Sequence, residues 1–229
     1  MIVINDLHKK YGKHPVLNGV NVQINSGEIT ALVGKNGSGK STLIKILSGL
    51  IKADSGKIDV GYKNKVGVLL GGNVSLYNSM TAKEIIDFFG FLRGMSLKNI
   101  NNKIDEMDEI LGIKNFINER AGTFSRGMSQ KIAITVSLIH DPDVLLLDEP
   151  STGLDIEAAN DVIKFIEYLK NSNKTILIAT HNIFEISDLS DSIAFLKNGI
   201  IEKKVSTYEF FCGCNSSDKS NIILKEMEE

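Results

Sequence analysis

Residues 34–41 read GKNGSGKS, the pattern G-x-x-x-x-G-K-[ST]. Gly34, Gly37 and Gly39 let the chain turn tightly and aim successive backbone N–H groups inward, where they suit phosphate oxygens. Upstream, Glu28–Val33 (EITALV) is a short apolar run that reads as a buried strand. Downstream, Lys40–Ser48 places Leu43, Ile46 and Leu47 on one helical face and stops at Gly49. Strand, glycine loop and helix in that order form a phosphate cradle, because the partial positive charge of the helix N-terminus adds to the loop N–H groups. Lys40 is expected to reach the β- and γ-phosphates of ATP, and Ser41 to offer its hydroxyl to Mg²⁺. Asn36, Ser38 and Thr42 complete the expected nucleotide contacts with the three glycines.

A second stretch answers the first. Val144–Glu149 (VLLLDE) is an apolar strand that ends in two acids. In open α/β sheets ligands bind at the carboxyl ends of strands, so the acids emerge where the phosphates would lie. Asp148 is the expected Mg²⁺ ligand, directly or through water, and Glu149 the general base for the attacking water.

Around these motifs the chain alternates in character. Met1–Leu7, Val16–Ile24, Lys57–Val60 and Lys65–Leu70 read as strands. From about residue 73 to 140 the pattern turns helical. The pair Thr81 and Glu84 forms a capping box, with Ile85, Phe88, Phe89 and Leu92 following at helical spacing. Lys98–Leu111 carries Ile100, Ile104, Met107 and Leu111 on one face. These stripes are read as core packing. The α/β alternation then resumes with Glu157–Lys170 as helix, Thr175–Ala179 as strand, and Ser192–Leu196 and Ile200–Val205 flanking an Asn198-Gly199 hairpin turn. The tail from about residue 211 to 229 is polar and has no expected packing role. The chain therefore reads as one domain of α/β class, interrupted by a helical subdomain.

Composition narrows the function. The 229 residues suffice for one large core or two smaller lobes, and 42% hydrophobic with 24% charged is ordinary for a folded globular protein. The formal net charge of -2 gives no global basic field, so no nucleic-acid partner is expected. No stretch approaches the roughly 18 to 20 apolar residues of a membrane helix. The start, MIVINDLHKKYG, lacks the layout of a secretory signal. A cytoplasmic chain is expected. Cys212 and Cys214 are too few for a disulfide framework and short of the four ligands of structural zinc.

Further motifs carry a family resemblance. Phe124–Lys131 (FSRGMSQK) resembles the signature of ATP-binding cassettes of ABC transporters, and Ser151–Asp155 (STGLD) resembles their D-loop. His181 follows the strand Thr175–Ala179 as the family's switch histidine does, and Tyr11 stands where its adenine-stacking aromatic stands. The resemblance runs from Met1 to about Tyr208. It implies a P-loop NTPase core with an antiparallel β subdomain and the helical insert. It also implies an ATPase that powers a separate transmembrane permease from the cytoplasmic face of the membrane. Two such cassettes meet head to tail around two ATP molecules, as a homodimer here, so Ser125 and Gly127 are expected to touch the γ-phosphate held by the partner's P-loop. A soluble ABC ATPase acting on ribosomes or nucleic acid is the alternative reading.

Two departures stand out. Most cassettes have a glutamine near Gly71 or Gly72 that touches Mg²⁺ and the membrane partner; this chain has none there, and Asn73 offers a shorter amide. Arg126 stands where the common signature has glycine. With GVLLGGNVSLYNSMTAKEI and FSRGMSQKIAI, both departures resemble the NatA-like branch of sodium and multidrug exporters.

Overall fold

The computed structural model describes residues 1–61, 66–70, 77–215 and 218–228. The chain opens with two antiparallel strands, β1 (Ile2–Tyr11) and β2 (His14–Ile24), and then enters the fully buried β3 (Ile29–Val33). The helix α1 (Lys40–Leu47) follows the glycine loop as expected. β4 (Ser55–Val60) returns to the free edge of β1, giving a three-stranded antiparallel sheet in the order β2-β1-β4. β5 (Val66–Leu69) begins the second sheet; Lys65, expected in this strand, lies outside the described residues, as do Gly71, Gly72 and Asn73.

The helical segment holds α2 (Ala82–Leu92), α3 (Leu97–Leu111) and α4 (Arg126–Leu138). The capping box forms: Thr81 Oγ1 accepts from the Glu84 N–H at 3.2 Å, and the Glu84 carboxylate accepts from the Thr81 N–H at 2.8 Å. The chain then alternates through β6 (Val144–Asp148), α5 (Ile156–Lys170), β7 (Thr175–Ala179), a π-helical turn at Glu185–Leu189, β8 (Ser192–Lys197) and β9 (Ile200–Ser206). Two helices close it, α6 (Thr207–Phe210) and α7 (Lys219–Glu228). Among the described residues the large sheet is six-stranded, in the order β5-β6-β7-β3-β8-β9, parallel as far as β8 and antiparallel at β9.

Strand alternation divides the core. Leu145 and Leu147 of β6 pack toward α2–α5, whereas Val144 and Leu146 pack toward α1 and the antiparallel sheet. Both faces are thus covered, which is why β3, β6 and β7 are continuous apolar runs with every residue buried. Each large aliphatic side chain so buried contributes about 1.5–3 kcal/mol.

Two packing expectations change. The buried face of α2 is Ala82, Ile85, Ile86 and Gly90, so Phe88 and Leu92 fall off it and remain 39% and 65% exposed. Nor is the tail without a packing role. Phe211 and Ile223 are buried in a cluster with Ala31, Val33, Ile193 and Phe195, and Lys203 ties α7 to β9 through Glu226 at 2.7 Å. Four apolar residues spread among polar ones (Phe210, Phe211, Ile223, Met227) are enough for a short apolar cover. No helix among the described residues is long and apolar enough to cross a membrane.

Candidate functional site

Strand register assembles the site. Leu32 of β3 pairs with Ala179 of β7, and Ala179 pairs with Asp148 of β6, so three strands end level with one another. The segments just past these ends are brought together: the glycine loop after β3, Glu149 after β6, and His181 after β7. Gly39 takes φ +108° at the N-cap of α1, a conformation closed to most side chains, and a Cβ there would sit 2.8 Å from Leu17 Cδ2. The tight loop therefore depends on glycine at this position.

Lys40 is buried at the base of the loop. Its Nζ donates to the Gly34 carbonyl at 2.6 Å and to the Lys35 carbonyl at 3.3 Å. Burial pushes its pKa down, while the charges of Glu149 and Asp148 hold it up. Asp148 is 6% exposed, and burial pushes its carboxyl up against the opposing pull of a hydrogen bond from Ser41. Its Oδ1 is buried without a hydrogen-bond partner. A buried carboxylate with one oxygen unsatisfied beside a serine hydroxyl is the hard-oxygen pair that suits Mg²⁺.

Glu149 takes φ +50° and is held there by its N–H, which donates to the Ala179 carbonyl at 2.8 Å. Its Oε2 accepts from Thr152 Oγ1 at 2.8 Å and lies 2.7 Å from His181 Nδ1. A non-glycine residue in this region costs about 1–3 kcal/mol unless its surroundings hold it, and here they turn the carboxylate toward the histidine. His181 keeps the rest of its ring in solvent, with its side chain 62% exposed.

Lys40, Asp148, Glu149 and His181 thus converge, with the Ser41 hydroxyl on Asp148. Gly34 packs under the Leu196 carbonyl and Ser38 Oγ, Asn36 and Gly37 lie exposed on the outer loop, and Ser41 and Thr42 lie in the first turn of α1, exposed and half-buried respectively. Tyr11 ends β1 with its ring 49% exposed and Lys9 Nζ 5.7 Å from the ring centre. The contacts of Ser125 and Gly127 run elsewhere. Ser125 caps α4 by accepting from the Met128 N–H at 3.1 Å. Gly127 is buried against α5, where a Cβ would lie 2.8 Å from Ala158 Cβ, so packing alone requires glycine there. The Arg126 guanidinium lies against Gly153, and Gln130 Nε2 donates to the Pro150 carbonyl at 2.6 Å, so this segment is tied to the loop after β6.

Sequence reading missed Glu185. It is 0% exposed, and neither carboxylate oxygen has a hydrogen-bond partner among the described residues. Burial pushes its carboxyl above the ordinary value of 4.5, outweighing the pull of the Ser151 and Thr180 hydroxyls and of His181, with Glu149 adding to the rise. The one available signal was an acid flanked by Ile183, Phe184 and Ile186. A raised folded pKa gives a stability contribution that is fully present below the unfolded value and lost as pH rises through the folded one. Glu185→Gln should therefore be more stable than wild type at about pH 8, by about 1–3 kcal/mol, because it removes the charge that burial disfavours. The gap should narrow toward pH 4.5. Urea midpoints across that range check it; a gap that widens on acidification sinks the assignment.

The chain is similar in sequence and fold to known proteins. The profile of the ABC transporter family matches residues 17–152. The ABC transporter ATP-binding protein NatA of Bacillus subtilis (strain 168) is 35% identical, over 99% of this chain and 98% of its own. The linearmycin resistance ATP-binding protein LnrL of the same organism is 31% identical, over 87% of this chain and 67% of its own. A solved structure of an ATP-binding subunit of an ABC transporter superposes with a TM-score of 0.87 at 25% identity, covering 100% of both chains.

Proposed function

The chain belongs to the ABC transporter family as an ATP-binding, ATP-hydrolysing cassette, and we propose that it drives a separate membrane-spanning permease, works as a nucleotide-bridged homodimer and serves an exporter. The observation that carries the reading is the meeting of Lys40, Asp148, Glu149 and His181 at the level ends of β3, β6 and β7. In this reading residues 1–229 act as one nucleotide-binding domain, with residues 73–140 as its helical subdomain.

Each role has a place in that geometry. N–H groups of Gly34, Asn36, Gly37, Ser38, Gly39 and Thr42 wrap the phosphates, and Tyr11 stacks on adenine. Lys40 turns its ammonium from the Gly34 and Lys35 carbonyls to the β- and γ-phosphates. Ser41 and Asp148 hold Mg²⁺, which when bound neutralises charge on the phosphate oxygens. Glu149 takes a proton from the water whose oxygen bonds the γ-phosphorus as the bond to the β–γ bridging oxygen breaks. His181 keeps Nδ1–H on Glu149 and turns Nε2 toward the γ-phosphate, to which it donates when the ring carries both protons. Ser125 and Gly127 stand at the N-terminus of the 13-residue α4, a favourable anion site whose contacts within the chain run to α4 and α5. A second copy places that terminus over the first copy's phosphates. The resistance function in the name of the linearmycin relative supports an outward direction of transport.

The surface of α2 supports a membrane partner. Phe91 and Leu92 are 55% and 65% exposed, three and four residues on from the exposed Phe88. An apolar cluster of this kind on a helix suits a cytoplasmic segment of the permease. Purification from native membranes in mild detergent should bring down a polytopic membrane protein in stoichiometric amount. Phe91→Asp should weaken that association by about 2 kcal/mol, roughly 30-fold, and leave ATP affinity unchanged. A ribosomal or nucleic-acid partner without any membrane protein would overturn the transport reading.

A further inference from the structure

The loop after β6 is held from outside at four successive points. The Glu149 N–H donates to the Ala179 carbonyl at 2.8 Å, the Pro150 carbonyl accepts from Gln130 Nε2 of α4 at 2.6 Å, and Ser151 Oγ accepts from Asn182 Nδ2 at 3.2 Å. The Arg126 guanidinium lies face-on against Gly153, where a Cβ would meet its Nη2, Nη1 and Cζ at 2.6, 2.7 and 2.8 Å. Thr152 differs: it is exposed, and it turns back into its own loop. Its N–H donates to the Glu149 carbonyl at 3.2 Å, which closes a turn, and its hydroxyl donates to Glu149 Oε2 at 2.8 Å. The same oxygen lies 2.7 Å from His181 Nδ1. Both contacts therefore fall on Oε2. Glu149 Oε1 takes no hydrogen bond among the described residues, is not one of the buried unpartnered atoms, and belongs to a side chain that is 22% exposed, so water can reach it. An exposed hydroxyl can be satisfied by water, so polar satisfaction alone does not account for the bond from Thr152.

We propose that Thr152 is a positioning residue for ATP hydrolysis: together with His181 it anchors Glu149 by Oε2, and so leaves Oε1 as the atom that takes the proton from the attacking water. The inference rests on the ATPase reading of the site. Water gives that proton to Oε1 as its oxygen bonds the γ-phosphorus, and the electron pair of the breaking bond leaves on the bridging oxygen with ADP. Thr152 touches neither water nor nucleotide in this scheme. Two donors from two loops fix the carboxylate in orientation as well as in place. With His181 alone the carboxylate would swing about a single contact, and Oε1 would lose its aim. Threonine suits the task because its branched Cβ restricts χ1, which keeps the hydroxyl pointed at its acceptor. Valine keeps the branching and lacks the hydroxyl; serine keeps the hydroxyl and lacks the branching.

The test compares kcat and KM for ATP in the full chain as wild type, Thr152→Val and Thr152→Ser, with affinity for a fluorescent ATP analogue measured on each. Loss of alignment without loss of binding should lower kcat of Thr152→Val by about 10-fold, with KM and analogue affinity within about twofold of wild type. Thr152→Ser should recover kcat to within about threefold of wild type, because its hydroxyl can make the same bond. Thr152→Val is then combined with Glu149→Gln, and the residual rate is read by single-turnover release of labelled phosphate. The amide takes no proton, so the added valine should slow that rate by no more than about twofold. Wild-type kcat in Thr152→Val overturns the proposal; so does a loss carried by KM, an equal loss in Thr152→Ser, or a full loss that persists beside Glu149→Gln. If Thr152→Val does not fold, Thr152→Ala removes the same hydroxyl: a kcat lower by about 10-fold upholds the proposal and an unchanged kcat overturns it. A wild-type chain that binds the analogue and releases no phosphate overturns the ATPase reading and this inference together, whereas normal wild-type turnover with a fully active Thr152→Val overturns this inference alone.

Discussion

Lys40→Ala should lose ATP affinity by about 3 kcal/mol, roughly a hundredfold, from charge-assisted hydrogen bonds to two phosphates. The structure shows why no neighbour compensates. Lys40 Nζ is the cation at the base of the loop, buried with the carboxyls of Asp148 and Glu149 near enough to shift its pKa. Without it, a nucleotide would bring phosphate charge against those two carboxyls with no buried ammonium at the base of the loop. Lys35 and Lys45 are exposed, and although the charge of Lys45 also acts on Asp148, neither is buried at the base of the loop as Lys40 is. Lys40→Arg should not rescue, since a planar guanidinium does not fit where a compact ammonium bonds the Gly34 carbonyl at 2.6 Å. Calorimetric titration with ATP and Mg²⁺ makes the check. Wild-type affinity in Lys40→Ala would remove the P-loop role assigned to it. A fall in affinity that tracks a fall in folded fraction would mean that the lysine is needed for the fold instead.

What could be read from the sequence shares a physical cause. β3, β6 and β7 are buried on both faces, so each is an unbroken apolar run, and the catalytic candidates sit just beyond those runs. Linear spacing therefore reported three-dimensional position. The same logic failed where burial was partial. Phe88 and Leu92 have helical spacing but lie on the face of α2 that the core does not cover. The tail hides its apolar contacts because Phe211 and Ile223 come from separate short segments that only the folded chain brings together. Glu185 was invisible for a different reason. Its burial arises from the packing of a π-helical turn against α5, α6 and β3, elements that lie apart in sequence. Gly127 was assigned to a phosphate on family grounds, and the structure adds a packing requirement against Ala158 that no motif records. The place of the missing glutamine, Gly71–Asn73, lies outside the described residues, so that departure is legible only in the sequence.

Glu149→Gln should cut ATP turnover by about 10²- to 10⁴-fold, the usual worth of a positioned general base, and leave ATP affinity near wild type. Glutamine matches glutamate in size, and its amide oxygen can still accept from Thr152 Oγ1, as the carboxylate does at 2.8 Å, and from His181 Nδ1–H. The strained φ of +50° is also unaffected, since it is fixed by the N–H bond to the Ala179 carbonyl. Only proton acceptance is lost, so binding and chemistry should separate. That separation has a structural consequence in the proposed homodimer. If the γ-phosphate bridges the P-loop of one copy and the α4 terminus of the other, a chain that binds ATP without cleaving it should accumulate as a dimer. Light scattering on a sizing column should show a monomer without nucleotide and a dimer with ATP, while wild type returns to monomer as phosphate is released. A Glu149→Gln chain that binds ATP and stays monomeric would sink the bridging role of Ser125 and Gly127 for the isolated chain. Near-normal turnover would instead remove Glu149 as the base and return attention to His181, the remaining proton acceptor in direct contact with it.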